Sequence, residues 1–474
     1  MPHGAIVVGA GPNGLAGAVA LARAGLPVTV LEAGAQIGGC SRSAELTLPG
    51  LLHDVGSSAH PTGAASPFFA ALDLPDLRWL RPEVDLAHPL DDGSAPALIG
   101  AAADTAAQLG PDGPRWRRMF EPLSRSADRL AAELLGPALH LPKHPLPLLR
   151  YGVRALPPAS VLARTWRGEP ARALFGGMAA HLFGPLDRPM SSALGVLFTA
   201  LGHRHGWPVA RGGSQAVIDA LAALLTRLGG QIETGTPVRS LEDVPPARIV
   251  LLDLAPSAAA SVLGDRLPPR IRRAYQRYRH APGAFKIDLA VEGGVPWRAE
   301  NARRAGTLHL AGSMAEMVDA ERQVNRGRMP RRPFVLASQQ YLADPARSRG
   351  NLHPVSAYAH VPHGYTGDAT AAVLEQFERF APGTRERVLA VTSTSPADLQ
   401  RANANRVGGD IINGANTPLQ MLARPRPAVD PYSTGVPGVY LCSAATPPGA
   451  GVHGMCGYFA ARSALRHHGH APEP

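Results

Sequence analysis

The chain has 474 residues, 45% hydrophobic and 18% charged, with 51 Gly, 47 Pro and 3 Cys. At about 150 residues per domain this length predicts two or three domains, and the apolar content excludes a disordered chain. The net charge of +10 rests almost wholly on arginines scattered in pairs and triplets, with Lys143 and Lys286 the only lysines; the lack of a basic stripe with interleaved aromatics excludes a nucleic-acid binder and leaves open a weak peripheral attraction to an anionic membrane surface.

In chain order, Ala5–Val8 reads as a short apolar strand that begins almost at the N-terminus, which predicts no secretory or transit peptide. Gly9-Ala-Gly11-Pro-Asn-Gly14 follows at once, then a helix over 15–23, then a strand over 28–32 closed by Glu32. Gly38-Gly39 opens turn-rich sequence to about residue 67, and 76–204 is a mixed block of helical patterns rich in Leu, Ala and Pro. Ser214 is a candidate N-cap for a helix striped by Val217, Leu221, Leu224, Leu225 and Leu228, with a strand beginning at Gln231 and another at Ile249–Leu252. Phe285–Val291 alternates as a strand, with Phe285, Ile287, Leu289 and Val291 on one face and Lys286 and Asp288 on the other. A strand over 438–442, a glycine-rich loop and a helix over 452–465 end the chain, with fraying expected over 466–474. No run of about 18 apolar residues predicts a membrane-spanning helix. Cys40, Cys442 and Cys456 form no CxxC, which predicts a reducing, cytoplasmic setting.

Two constellations carry chemistry. Gly9 permits a tight turn, Gly11 lets the backbone approach a pyrophosphate, and Gly14 lets the helix pack on the strand, with free N–H groups and the positive helix end facing the phosphates. Glu32 stands where an acid bonds ribose hydroxyls, which disfavours NADP. The motif alone does not separate FAD from NAD. Gly38, Gly39 and Arg42 add N–H groups and a guanidinium for an extended pyrophosphate, and no second strand-linked GxGxxG exists, so the chain has one dinucleotide site. The second constellation is Gly449, Gly451 and Gly454 ahead of the last helix. It is either a seat for a flat ring against a positive helix end or a plain glycine-rich start to a helix.

These stretches resemble the FAD-dependent amine oxidase/phytoene desaturase superfamily, in its phytoene-dehydrogenase-related branch. The resemblance runs nearly the whole chain: Val7–Gly14, Glu32–Arg42, Leu52–Pro61, Gly206–Ala216, Pro282–Asp288 with Pro296-Trp297, Asn405–Asp410 and Tyr440–Ala460. It implies an α/β fold with a discontinuous Rossmann-type FAD-binding domain (1–75, 205–255, 400–474) and a second α+β substrate domain of mixed sheet plus helices (76–204, 256–400). It implies FAD with its pyrophosphate at Gly9, Gly11 and Gly14, its adenosine ribose at Glu32, and its flavin-side phosphate at Gly38, Gly39 and Arg42. The turn with Gly56 and Ser57 would run beside the ring, the main chain at Val238 would hold adenine, and Gly451 and Val452 would meet the pyrimidine edge. Many relatives have Gly-Asp after the last strand where this chain has Ser443-Ala444, so Ser443 would replace that contact in part.

In flavin amine oxidases a strand lysine followed by a Pro/Phe-Trp pair holds a water against the flavin. Lys286 with Pro296-Trp297 matches that pattern; the competing reading is an edge-strand surface lysine. His453 would orient substrate, act as a base, or only bond the helix start. His60 and Asp54 would face the flavin from the other side, with Asp54 also able to tie down its own turn. Cys442 and Cys456 read as core-packing residues, and the Gly408-Gly409-Asp410 turn as either structural or flavin-side. No metal site is expected. The reading is an FAD-dependent oxidoreductase that takes a hydride from a C–H bond and forms C=C or C=N in a largely apolar small molecule. Oxygen, a quinone or a carrier protein would accept the electrons. The alternatives are a reduced-flavin polyene isomerase or reductase, and a flavoprotein whose FAD is structural.

Overall fold

The structure is a computed structural model and describes residues 4–469. Five strands form a parallel sheet in the order Val439–Leu441, Ile249–Leu252, Ala5–Val8, Val28–Leu31, Gln231–Glu233. The inner strands are apolar but for Thr29 because both faces are covered. Val7, Val30 and Leu251 point into a core with helices Pro12–Arg23, Gln215–Arg227 and Met455–His467. Ile6, Val8, Leu31, Val250 and Leu252 point the other way, against Ala259, Leu263 and Tyr275. The first and last helices touch almost backbone to backbone: a Cβ at Gly457 would lie 1.8 Å from the Asn13 carbonyl oxygen and 2.7 Å from the Gly17 nitrogen.

A second, seven-stranded sheet is mixed, in the order Val388–Thr394, Gly283–Glu292, Leu352–Val361, Val335–Ser338, Ala305–Leu310, Val84–Ala87, Ala97–Leu98. Phe285, Ile287, Leu289 and Val291 enter an apolar core with Trp297 and Phe377 on one face, as the alternation predicts. Gly283–Glu292 is paired on both sides, so Lys286 is not on an edge strand. The helical block over 102–205 has its own core around Trp116, Phe120, Trp166 and Phe175. Helix Ala193–His205 packs on both sides, with Val196 and Ala200 in this core and Leu197 and Leu201 in that of the parallel sheet. No helix among the described residues is long and apolar enough to cross a membrane.

The α/β class and the mixed second sheet agree with expectation. Three local readings change. The last helix begins at Met455 rather than 452, because Gly454 adopts φ +69° and starts it. It runs on through His467, so fraying does not begin at 466, and 470–474 lie outside the described residues. Ser214 precedes its helix but does not cap it; its hydroxyl donates to the Ser57 carbonyl and accepts from His60 Nε2.

Candidate cofactor and substrate site

Parallel strands place all their carboxyl ends on one edge, where a doubly wound sheet binds its ligand. Gly9, Glu32, Asp253 and Ser443 stand at or just beyond the ends of four of these strands. Gly9 has φ +102° and Gly14 is closed in by it, since a Cβ at Gly14 would lie 2.0 Å from the Gly9 carbonyl oxygen. Pro12 opens the helix, where its missing N–H costs nothing. Glu32 turns back over this loop: one carboxylate oxygen accepts from the Ala10 N–H at 2.8 Å, the other from the Gly34 N–H at 2.8 Å.

The second loop closes on the first. Gly39 is so near that its Cβ would lie 3.2 Å from Gly11 Cα. Gly56 and Ser57 lie against the Gly38–Cys40 segment, with the Ser57 N–H on the Cys40 carbonyl at 3.1 Å and the Ser41 and Ser57 hydroxyls 3.2 Å apart. Arg42 Nε and Asn13 Oδ1 are buried without a protein partner, and the buried Arg406 guanidinium reaches the same turn, within 2.3 Å of where a Gly56 Cβ would be. Two guanidiniums, orphaned buried polar atoms and a glycine cradle fit the pyrophosphate of a dinucleotide. Val238 packs under the same sheet beyond Glu233. At the end of the Val439–Leu441 strand, Ser443 is buried and accepts weakly from the Ala445 N–H at 3.4 Å.

Asp253 is the residue sequence reasoning missed here. Its carboxylate accepts from the Gly14 N–H at 3.1 Å, and the same oxygen lies 2.9 Å from a Cβ built at Gly11. Burial, reinforced by the charge of Glu32 and opposed by the Gly14 N–H, pushes its pKa up to about 7. Asn405 braces the turn, donating to the Asp253 carbonyl and accepting from the Ala255 N–H. An acid directly after an apolar strand of the dinucleotide sheet was the signal available.

The C-terminal glycine loop joins the same edge through the crossing of the first and last helices. Gly451 has φ +143°, and a Cβ on Gly63 would lie 2.7 Å from the Val452 carbonyl. The Ser66 hydroxyl holds the His453 carbonyl at 2.7 Å. His453 sits two residues before the last helix, fully buried, and burial lowers its pKa to about 4. Its Nδ1 accepts from the Met455 N–H at 3.0 Å, which puts the proton on Nε2, and Nε2 has no protein partner. The ring is thus a neutral donor rather than a base. Cys456 packs inside this loop, its thiol on the Gly449 carbonyl at 3.3 Å and its pKa pushed up to about 12 by burial. Asp410 is structural: it accepts from the N–H groups of Ala281, Ile412 and Gly414.

Lys286 is buried, and its ammonium is bound by both carboxylate oxygens of Asp288. Asp288 also takes the Ser356 hydroxyl at 2.6 Å and lies 3.4 Å from His53 Nδ1. Burial acts against its charge, but Lys286 and His53 hold its pKa below the usual carboxylate range. Lys286 therefore lies on the predicted strand and face, but as half of an ion pair. In register along this face, Lys286 stands opposite Tyr358, Tyr358 opposite Leu336, and Leu336 opposite His309. The buried His309 is joined by the half-buried His181 at 3.1 Å and by the buried His88, all lowered in pKa by loss of solvent.

The connection between strands Val335–Ser338 and Leu352–Val361 is fastened to the turns at 54 and 210–214 by Arg347, which is 1% exposed. Its guanidinium reaches Asp54 at 2.7 Å, Asp344 at 3.2 Å and the Ala210 carbonyl at 2.8 Å. Asp54 also accepts from Ser43 and from the Ser214 N–H, and Asp344 from the Gly212 N–H. Asp54 thus ties distant segments together rather than its own turn alone. His60 bonds Ser214 across the same junction, and burial lowers its pKa to about 4.

Compared with known proteins, residues 7–73 match the family described as NAD(P)-binding Rossmann-like domain. An uncharacterized protein of Mycobacterium tuberculosis is 26% identical, covering 97% of this chain and 96% of that one. The rat (Rattus norvegicus) pyridine nucleotide-disulfide oxidoreductase domain-containing protein 2 is 25% identical over 67% of this chain and 61% of its own length. Among solved structures, putrescine oxidase with putrescine bound superposes with a TM-score of 0.61 at 17% identity, covering 99% of each chain. The chain accordingly carries a Rossmann-like dinucleotide-binding domain, is homologous to the proteins named pyridine nucleotide-disulfide oxidoreductase domain-containing protein 2, and has the fold of the amine oxidases.

Proposed function

We propose that the chain is an FAD-dependent oxidoreductase that takes a hydride from a C–H bond of a largely apolar small molecule, leaving a C=N or C=C bond. The observation that carries the reading is the convergence of two glycine loops, 9–14 and 449–454, each leading into a helix, on one edge of the parallel sheet. FAD, when bound, supplies the hydride acceptor. Gly9, Gly11, Gly14, Gly38, Gly39 and Arg42 hold its pyrophosphate, and Glu32 gives up its two N–H partners in favour of ribose hydroxyls. Val238 faces adenine, Gly56 and Ser57 run beside the ring, Ser443 takes the ribityl side, and Gly451 and Val452 meet the pyrimidine edge. His453 Nε2–H orients whatever stands before it. The parallel-sheet segments 1–75, 205–255 and 400–474 form the cofactor domain, and 76–204 with 256–400 the substrate domain. The amine-oxidase fold supports a carbon–nitrogen bond as the site of oxidation.

One observation favours a second reading. The Lys286–Asp288 pair commits two of the three ammonium donors and leaves one for a water, a poorer water-holder than an unpaired lysine, which weakens the case for net oxidation over a redox-neutral or reductive reaction on a polyene. An absorption spectrum with acid release of the chromophore tests the cofactor, and anaerobic mixing with amines tests the chemistry. Flavin bands that bleach with an amine, and bleach in Lys286→Met as well, support oxidation without a lysine-held water. Bands that persist until chemical reduction, with turnover only afterwards, support the second reading. A colourless protein that does not take up FAD overturns both.

A further inference from the structure

Ten of the thirteen exposed large apolar residues among those described fall in two segments, 139–161 and 419–429, so the exposure is concentrated rather than scattered. Helix Pro145–Ala155 is seated inward by Pro147, Ala155 and the Tyr151 hydroxyl on the Ala193 carbonyl. Its other side presents Leu146, Leu149 and Val153 to solvent, with Leu141 ahead of it 92% exposed. The segments meet at a cleft of about 220 Å³ lined by Leu139, Leu422 and Val429, with Pro447 of the loop before Gly449 also in its wall.

Charge says what covers this surface. Residues 134–168 contain no Asp or Glu but hold Lys143, Arg150, Arg154, Arg164 and Arg167, and 411–429 is also free of acids. The flanking Glu133 is buried and turned inward onto His140 and the His144 N–H. A second copy docked here would set Lys143, Arg150 and Arg154 against their own copies, which is repulsive. Leucines at helical spacing amid unopposed cations suit a leaflet of anionic lipid, where apolar side chains enter the acyl boundary and each cation near the surface adds about fivefold in affinity.

We propose that the surface made by 139–156 and 419–429 seats the protein on an anionic membrane, with the cleft opening toward the lipid. This is independent of the reaction assigned above. Co-sedimentation of the full chain with phosphatidylcholine vesicles, with and without phosphatidylglycerol, tests it. The protein is expected to pellet only with phosphatidylglycerol present and to be released by high salt. Arg150→Gln weakens binding about fivefold, and Leu141→Gln with Leu149→Gln weakens it more than about tenfold. Leu389→Gln, exposed on the far strand Val388–Thr394, leaves it unchanged. Wild-type protein that stays in solution with phosphatidylglycerol vesicles at low salt overturns the proposal. So does a dimer in analytical ultracentrifugation that Leu149→Gln makes monomeric, since a second copy then covers the face.

Discussion

The two sheets solve the burial of charge differently. At the carboxyl edge of the parallel sheet, backbone N–H groups do the work: Ala10, Gly14 and Gly34 donate to Glu32 and Asp253. On the mixed sheet and its junction, side chains neutralise one another, as in Lys286 with Asp288 and Arg347 with Asp54 and Asp344. A carboxylate held by backbone N–H groups keeps lone pairs free for a ribose hydroxyl. An ion pair has already satisfied its members and holds segments in place. The first arrangement recognises and the second fastens.

Breaking the fastening should have the largest effect. Arg347→Met leaves two buried carboxylates without a cation and is expected to cost about 3–5 kcal/mol in denaturant unfolding. Adding Asp54→Asn should restore part of that; a loss under about 1 kcal/mol would mean that this junction is held by packing instead. Gly14→Ala comes next. Its Cβ meets backbone that cannot swing away, so a cost of about 3 kcal/mol is expected, together with loss of FAD retention on gel filtration.

The pH dependence separates the buried Asp253 from the buried histidines by sign. Asp253 has a folded pKa of about 7 against an ordinary 3.8, so the folded state holds the extra proton and this group lowers stability as pH rises from about 4 to about 7. Asp253→Asn should remove that slope and add up to about 4 kcal/mol at pH 7. The buried His88 and His453, lowered to about 4, work oppositely: their contribution is present above 6.5 and is lost as pH falls toward 4. Stability measured between pH 4 and 7 should therefore climb more steeply with pH in the Asn variant than in the wild type. Parallel curves would mean that Asp253 is not the group responsible. Glu32→Gln should have the smallest effect, about 1.5 kcal/mol of stability from one weakened N–H bond. FAD affinity by flavin fluorescence quenching should fall about tenfold.

What the sequence made legible follows the same division. Glycines fixed by φ or by close approach occur at set spacing along one short segment, so Gly9, Gly11, Gly14 and the strand–helix–strand around them could be read directly. Arg347 reaches Asp54 across 293 positions, and no local pattern marks either partner. Lys286 was placed on the right strand and face by alternation, yet its ion pair with Asp288 two residues on was not foreseen, because same-face neighbours only become partners once both are buried. Arg406 lay inside a run quoted for its resemblance, but only folding brings it against Gly56.

The contact between Gly17 and Gly457 has a consequence for how the protein is made. Strand Ala5–Val8 and the glycine loop after it are made long before strand Val439–Leu441, which completes their sheet, and helix Met455–His467, which packs on their helix. Domains usually fold as they emerge, but this sheet has to wait for almost the whole chain. The strand Ala5–Val8 gains its second neighbour with Ile249–Leu252, and that strand in turn keeps one open edge until Val439–Leu441 is made. A chain cut short before the last helix would therefore leave residues 13–17 of the first helix uncovered and should fold poorly.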